Sequence, residues 1–563
     1  MKRDLETLSR RTFDVLVVGC GVYGAFIARE AALRGLSVAV IDAGDFCGAT
    51  SANSLKIIHG GLRYLQQLDV VRARESATER RILMRLAPHL IHPMTCIMPT
   101  TGWGLRSKPV IRAGLLVNDL LSFDRNRTDD PEKHIPAGAV ISKDKCLSIL
   151  PGLVGRNITG AAEWHDALAH NTERLVLGAV TAACERGAVA ANYVKLIGFT
   201  RSGRDITGIV AKDVFTSSQF NVSAKLVINA AGPWVPEILS LAEACGSTPI
   251  RHLTLAMNFV LKRQLISSYA AGLTSPGTTT RRKSLLFFAP WRGRTIAGTY
   301  YRLHTGPADD MKVSQEDIRM FLDDLNRAYP PARLERKDIA VIHAGLQHAE
   351  SAAENPKPTG HYEILDHSKI DRIEGLLSVV GVKYTTARDV AAKAVAIATS
   401  KLGCCPSGLQ PASADTYLPG GGPPDFNRLL EKTLRVYGKT IGEEHVRRLV
   451  VNYGTECRML LDMCSADSGM GRLPGDSPDV IGAEVAHAVS CEMAQTLDDV
   501  VFRRTDLGSA GMPDETALLA CADLVAREAG WDAKRKEREI TSTLAMSEQP
   551  ARCCVQLSRT SSV

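Results

Sequence analysis

The stretch Phe13-Asp14-Val15-Leu16-Val17-Val18-Gly19-Cys20-Gly21-Val22-Tyr23-Gly24 decides the fold. An apolar strand, broken only by Asp14, runs straight into a glycine-rich turn. Gly19 permits the tight turn, Gly21 lets a pyrophosphate approach the backbone, and Gly24 lets a helix pack closely on the strand. The N-terminus of that helix offers free N–H groups and the positive end of its dipole to an anion. Ala25, Ala28, Ala31 and Ala32 keep the helix slim against a sheet, and Gly35 ends it. Leu36 to Ile41 reads as a second strand, with Asp42 at its end to accept hydrogen bonds from ribose hydroxyls. A lone GxGxxG is weak evidence. Here strand, turn, helix, strand and terminal acid stand in order, which an ordinary strand–helix turn would not need. Residues 13–42 therefore predict a Rossmann-type dinucleotide site in an α/β chain. The fingerprint leaves NAD and FAD both open.

Outward from this unit, Arg and Glu interleaved with apolar residues predict a helix over 66–88, ended by Pro88. Helices are expected over 172–186, 314–328 and 386–400. Strands are expected over 190–230, 284–289, 295–301 and 376–382. Residues 1–11 read as a polar, basic arm. Pro419-Gly420-Gly421-Gly422-Pro423-Pro424 can continue neither a helix nor a central strand and reads as a linker. Beyond it, residues 425–540 show helical periodicity, and a Ser-rich tail follows from about 545.

A chain of 563 residues can hold several domains with sizeable cores. Its net charge of +7 is mild for that length and argues against nucleic acid as a partner. The 14 cysteines are scattered, and Cys404-Cys405 and Cys553-Cys554 are adjacent pairs without zinc-ligand spacing. They read as free thiols of a reducing compartment, and no metal site is expected. No apolar run is long enough to cross a membrane. Ser9-Arg10-Arg11-Thr12-Phe13 resembles a twin-arginine export signal, but cleavage there would remove the nucleotide-binding strand.

The choice of FAD comes from the next segment. Ala49-Thr50-Ser51-Ala52-Asn53-Ser54 precedes Lys56-Ile57-Ile58-His59-Gly60-Gly61-Leu62-Arg63-Tyr64-Leu65. This resembles the flavin-dependent glycerol-3-phosphate dehydrogenases and oxidases, in which a Ser/Thr-rich loop and a K-x-x-H-G-G-x-R-Y-L segment line flavin and substrate. Asn229-Ala230-Ala231-Gly232-Pro233-Trp234, then Pro290-Trp291 with Gly298-Thr299, then Gly381-Val382-Lys383-Tyr384-Thr385-Thr386 resemble later motifs of the family in the same order. Glu492-Met493-Ala494, Asp498-Asp499 and Arg503-Arg504-Thr505 resemble its C-terminal helical domain. The resemblance spans roughly residues 13–510, and spaced motifs in one order are more specific than any one of them.

It implies a Rossmann-type FAD-binding domain, a mixed α+β substrate domain and a C-terminal helical domain. The FAD-binding part is expected over 12–100, 161–250 and 346–405, with a substrate-side insertion over 101–160. The substrate domain is expected over 251–345 and the helical domain over 420–540. The implied FAD ligands are Gly19, Gly21, Gly24, Asp42, Thr50, Ser51, Ser54, Lys56, Gly60, Gly61, Gly232, Gly381, Lys383, Thr385 and Thr386.

The implied catalytic residues are His59, Arg63 and Lys383. A guanidinium forks onto phosphate with paired hydrogen bonds, although an arginine more often sits in a surface ion pair. Imidazole titrates near neutral pH and suits a general base; the alternative is a histidine packed on the flavin. Lys383 and nearby N–H groups suit negative charge on a reduced flavin. Alternatively, Thr385 or Thr386 simply caps a helix beside a solvated lysine.

The implied reaction oxidises sn-glycerol 3-phosphate to dihydroxyacetone phosphate and passes electrons to quinone or another acceptor. A cytoplasmic chain is expected, with peripheral contact at the inner face of a membrane and a homodimer as further possibilities. The Trp531–Lys536 stretch is the candidate membrane face. Three positions depart from the family. Gln347, in His343-Ala344-Gly345-Leu346-Gln347-His348, stands where an arginine grips phosphate, leaving His348, Arg302 or His304 to compensate. A substrate-domain histidine is missing from Leu255-Ala256-Met257-Asn258-Phe259, and Val382 replaces a glycine. These changes leave open a different small alcohol, hydroxy acid or amine as substrate, or an inactive FAD-binding regulatory protein.

Overall fold

In the computed structural model the described residues are 1–546, apart from 129, 155–156, 245–251, 277–283, 353–357, 382, 404–411, 423–424, 476–479 and 510. Val382, the two adjacent cysteine pairs, Pro423-Pro424 and the Ser-rich tail from 547 onward lie outside them.

The strand Thr12–Val18 sits in the middle of a sheet of eight strands among the described residues, two of which, Val194–Ser202 and Asp205–Asp213, lie off the main path. It pairs in parallel with Val38–Ile41 on one side and Gln219–Asn229 on the other. Val189–Ala191 and Leu376–Val380 extend the parallel order outward, and Glu363–Asp366 closes one edge antiparallel. Strands buried on both faces need continuous apolar runs. Val15 and Val17 duly face one core while Leu16 and Val18 face another. Each such valine contributes roughly 1.5–3 kcal/mol on burial. The helices Val22–Leu33, Thr172–Cys184 and Ala387–Lys401 cover the first face. The strand order reverses at Thr12–Val18, and sheets of this kind bind ligands at such a switch point, outside the carboxyl ends of the strands.

Among the described residues the second sheet has nine strands, eight in one path and Ala139–Ser142 paired beside Gly160–Ala169. Its order runs Ile339–His348, Leu253–Leu261, Arg294–His304, Ser284–Trp291, Ala270–Ser275, Ile91–Thr100, Gly160–Ala169 and Ile57–Ile58. The helix Gln315–Ala328, started by a Ser314/Asp317 capping box, covers one face and buries Phe321 against Phe259. This sheet is larger than residues 251–345. Ile57–Ile58, Ile91–Thr100 and Gly160–Ala169 join it from stretches that sequence grouping leaves with the nucleotide-binding part. Sheet membership is set by long-range pairing, which local pattern does not carry.

The C-terminal part is helical, from Phe426–Ile441 to Ala533–Ala545. It is locked onto the nucleotide-binding part by the buried charge pairs of Asp45 with Arg503 and Arg504 and of Arg174 with Glu492, and onto the second sheet by Arg292 with Asp506. The Gly-rich connection is not a free linker. Leu418 N donates to Leu86 O, and a side chain at Gly420 would stand 2.4 Å from Tyr453 O. The N-terminal arm is likewise docked. Residues Leu5–Arg10 form a helix with Leu8 buried, and Arg3 reaches Asn192 O and Asp213. Nine described cysteines are free thiols, and no described cluster could hold a metal ion. Among the described residues no helix is long and apolar enough to cross a membrane.

Candidate active site

The glycine turn is shaped by close approach. Gly19 has φ +91°, and a Cβ there would stand 2.7 Å from Ala231 Cα. A Cβ on Gly24 would fall 1.9 Å from Gly19 O, so helix and turn touch backbone to backbone. Gly21 is the N-cap of the Val22–Leu33 helix and supplies no side-chain cap. Ser51 Oγ accepts from Val22 N at 3.0 Å, binding the Ser/Thr-rich loop to that helix start. Asp42 accepts from Cys20 N at 2.6 Å and Gly44 N at 2.9 Å. Burial, offset only in part by these donors, pushes its carboxyl up to about 6. A ribose diol would supply the hydrogen bonds that such a carboxylate lacks.

The loop after Asp42 is held from behind. Thr50 Oγ1 donates to Leu346 O at 2.8 Å, and Lys56 N donates to Ser54 Oγ at 3.3 Å. Lys56 is buried in a left-handed backbone conformation, with φ +63°. Its ammonium donates to Ala52 O, Thr172 Oγ1 and Glu173 at 2.6–2.8 Å. Its charge is thus committed to an internal ion pair that fixes the loop. Asn258 Nδ2 reaches Asn53 O at 3.2 Å and ties the loop to the second sheet.

Lys383 lies between the strand Leu376–Val380 and the helix Ala387–Lys401. A Cβ on Gly381 would overlap the Tyr23 ring at 1.9 Å, and Tyr23 Oη donates to Lys383 O at 2.8 Å. Lys383 Nζ donates to Tyr64 Oη at 3.1 Å and Ser76 Oγ at 2.8 Å and lies 4.4 Å from the centre of the Tyr64 ring. All these partners are neutral, so its charge is not cancelled locally. Thr385 and Thr386 are buried. Thr386 is the N-cap of the helix but makes no side-chain cap bond, and its buried hydroxyl has no partner among the described residues. That orphaned hydroxyl fits a polar group brought by a cofactor.

The His59-Gly60-Gly61 segment enters from the second sheet. Gly61 has φ +93°, and the short helix Leu62–Leu65 starts there. Arg63 on this helix is exposed and makes no hydrogen bond or ion pair among the described residues, leaving its guanidinium open to an anion. His59 Nδ1 meets Asp166 Oδ2 at 3.0 Å, and the imidazole stands edge-on to Phe287. Gly232 has φ +57°, and its carbonyl accepts from His348 Nε2 at 3.1 Å.

The three residues offered as replacements for the missing arginine do not supply a free charge. Burial pulls His348 down to about 4, so it is neutral near pH 7. Arg302 pairs with Asp317 at 2.8 Å and donates to Leu303 O and Lys312 O. His304 is bonded to Pro307 O. Gln347 lies opposite Thr254 in the sheet. Met257 turns into the core behind the sheet, while Asn258 turns toward the Ser/Thr-rich loop and accepts from Thr299 Oγ1 at 2.8 Å. Sequence reading passed over Asp166, Tyr64, Ser76, Tyr23 and Asn258. Only Tyr23, Tyr64 and Asn258 lay inside stretches quoted from the sequence, and none of the three was singled out there.

Comparison with known proteins places this geometry. A model of the FAD dependent oxidoreductase family matches residues 14–356, and one of the C-terminal domain of alpha-glycerophosphate oxidase matches residues 412–536. A glycerol-3-phosphate dehydrogenase of Synechocystis is 29% identical over 97% of this chain and 98% of its own. The mitochondrial glycerol-3-phosphate dehydrogenase of Homo sapiens is 30% identical over 94% of this chain and 72% of its own. The solved glycerol-3-phosphate dehydrogenase of Bacillus halodurans, complexed with FAD, superposes with a TM-score of 0.74 at 23% identity and covers 98% of both chains. With a dinucleotide cradle, an uncommitted Thr386 hydroxyl and these likenesses along nearly its whole length, the chain belongs to the FAD-dependent glycerol-3-phosphate dehydrogenase family of oxidoreductases, with FAD as its cofactor.

Proposed function

We propose that the protein oxidises sn-glycerol 3-phosphate to dihydroxyacetone phosphate and passes the electrons to a quinone or another acceptor. The observation that carries this reading is the uncommitted guanidinium of Arg63, four residues from the carboxylate-bound imidazole of His59. Arg63 holds the phosphate through a paired fork. His59 takes the hydroxyl proton at Nε2, since Nδ1 is occupied by Asp166. Lys383, held by neutral partners, keeps its positive charge for the negative charge that develops during the reaction. Asp42, the Gly19–Gly24 turn and Thr386 hold the dinucleotide. When bound, FAD supplies the hydride acceptor for C2 of the alcohol.

A bilayer is where a quinone acceptor would be met, and an exposed apolar and basic stretch supports contact there. Trp103, Leu105, Leu116, Leu120 and Phe123 are exposed beside exposed Arg106, Arg112 and Arg127. The Trp531–Lys536 stretch is a weaker candidate, because Trp531 packs on the helical core and Arg535 stacks on it.

Turnover tests the reading. Holoprotein, sn-glycerol 3-phosphate and a soluble quinone are expected to yield one dihydroxyacetone phosphate per quinone reduced. FAD-loaded protein that forms none would remove this substrate and favour another alcohol, hydroxy acid or amine, or an inactive flavoprotein.

A further inference from the structure

We propose that Asp166 is the positioning residue of this reaction: it fixes the tautomer and orientation of His59, so that Nε2 alone receives the substrate proton. This rests on the reading of His59 as the base. Asp166 lies on the strand Gly160–Ala169, over a hundred residues from the histidine, and is 3% exposed. Its Oδ2 meets His59 Nδ1 at 3.0 Å and accepts from Trp164 Nε1 at 3.3 Å. Its Oδ1 accepts from Gly60 N at 2.6 Å and lies 3.4 Å from Arg80 Nη1. Four donors from three elements thus hold one carboxylate.

This arrangement also accounts for Gly60. A Cβ there would stand 2.1 Å from Arg80 Nη1, so a side chain would push aside the guanidinium that braces Asp166. Arg80 is itself anchored on His165 O. On the His59–Asp166 pair packs the charged Arg80 from the helix Val70–Leu86, with the Cys96 thiol and His165 imidazole of the adjoining strands close to Asp166 and Phe287 adding a neutral ring. The His59 and Arg80 contacts hold Asp166 below the usual carboxylate range despite its burial. An ionised carboxylate only accepts, so it demands a proton on Nδ1 and leaves the Nε2 lone pair open. When Nε2 takes the hydroxyl proton, the imidazolium is stabilised by Asp166, which itself stays ionised.

The test is Asp166→Asn in the FAD-loaded protein, read by anaerobic flavin reduction with sn-glycerol 3-phosphate across pH 5–9. An amide turned to donate to Nδ1 forces the wrong tautomer. The expected loss in the reduction rate constant is roughly 10²–10⁴-fold, as for carboxylates that orient a histidine base. The acid limb of the pH profile is expected to move down, because the imidazolium loses its carboxylate. FAD content is expected to stay at the parent level, and Asp166→Glu to restore part of the rate. In a His59→Gln background, Asp166→Asn is expected to cost less than about threefold, because residues acting as one unit are not additive. A near-parent rate and pH profile for Asp166→Asn, with His59→Gln slow, overturns the positioning role alone. A full multiplicative loss in the double variant, or lost FAD, overturns it as well by making Asp166 merely structural. A His59→Gln protein that keeps the parent rate overturns the base reading instead.

Discussion

Replacing Arg504 by methionine probes how the C-terminal helices are tied to the nucleotide-binding part. Arg504 donates to both oxygens of Asp45 at 2.7 Å, and each side chain is about 1% exposed. Asp45 follows Asp42 by three residues and also takes Arg503 at 2.6 Å and Asn192 at 2.9 Å. The two arginines overcome burial and pull Asp45 from 3.8 down to about 2. That drop corresponds to a contribution on the order of 2–3 kcal/mol in favour of the folded state. Removing one partner of a buried pair costs about 3–5 kcal/mol. Because Arg503 remains, Arg504→Met is expected at the low end, about 3 kcal/mol. The folded-state pKa is depressed, so this stability is present above pH ~4 and is lost as pH falls toward 2. Urea unfolding of the holoprotein, with FAD fluorescence and circular dichroism as separate probes, measures the loss. A double-mutant cycle with Asp45→Asn isolates the pair. A coupling energy below about 0.5 kcal/mol, within the additivity expected of independent sites, would refute the reasoning.

Other perturbations act nearer the chemistry. Gly24→Ala puts a methyl 1.9 Å from Gly19 O, and the purified protein is expected to lose its flavin absorbance; a fully yellow variant contradicts the packing role given to that glycine. Arg63→Lys keeps the charge but loses the fork, so KM for sn-glycerol 3-phosphate is expected to rise roughly tenfold or more with little loss of FAD; an unchanged KM places the phosphate elsewhere. Burial pushes the Asp42 carboxyl up to about 6, and ribose hydroxyls would favour its ionised form. FAD affinity is therefore expected to weaken as pH falls from 7 to 5, and titration by fluorescence quenching showing no pH dependence would contradict that placement. Lys56→Met strands Glu173 in the interior, and thermal melts are expected to fall by several degrees with earlier FAD release.

The nucleotide cradle was legible because its determinants are consecutive: strand, glycines, helix and Asp42 occupy 13–42, and the structure places them as the spacing implies. The helix Thr172–Cys184 and the strand Arg294–His304 were legible from periodicity. What escaped depends on chain crossings. Asp166 meets His59 across more than a hundred residues, and Asp45 meets Arg504 across more than four hundred. The Gly-rich run at 419–422 looked like a linker because composition shows flexibility but not that Leu86 and Tyr453 wait to pack against it. Lys56 lay inside a flavin-lining motif, yet its amine is turned inward to Glu173, a partner no local pattern announces.

Anaerobic mixing of the holoprotein with sn-glycerol 3-phosphate, followed by flavin absorbance, tests the central claim most directly. Bleaching of the oxidised band in a stoichiometric first turnover is the predicted result, and it would show that Gln347 does not prevent substrate binding. A band that stays oxidised at saturating substrate, in protein that carries FAD, would contradict it.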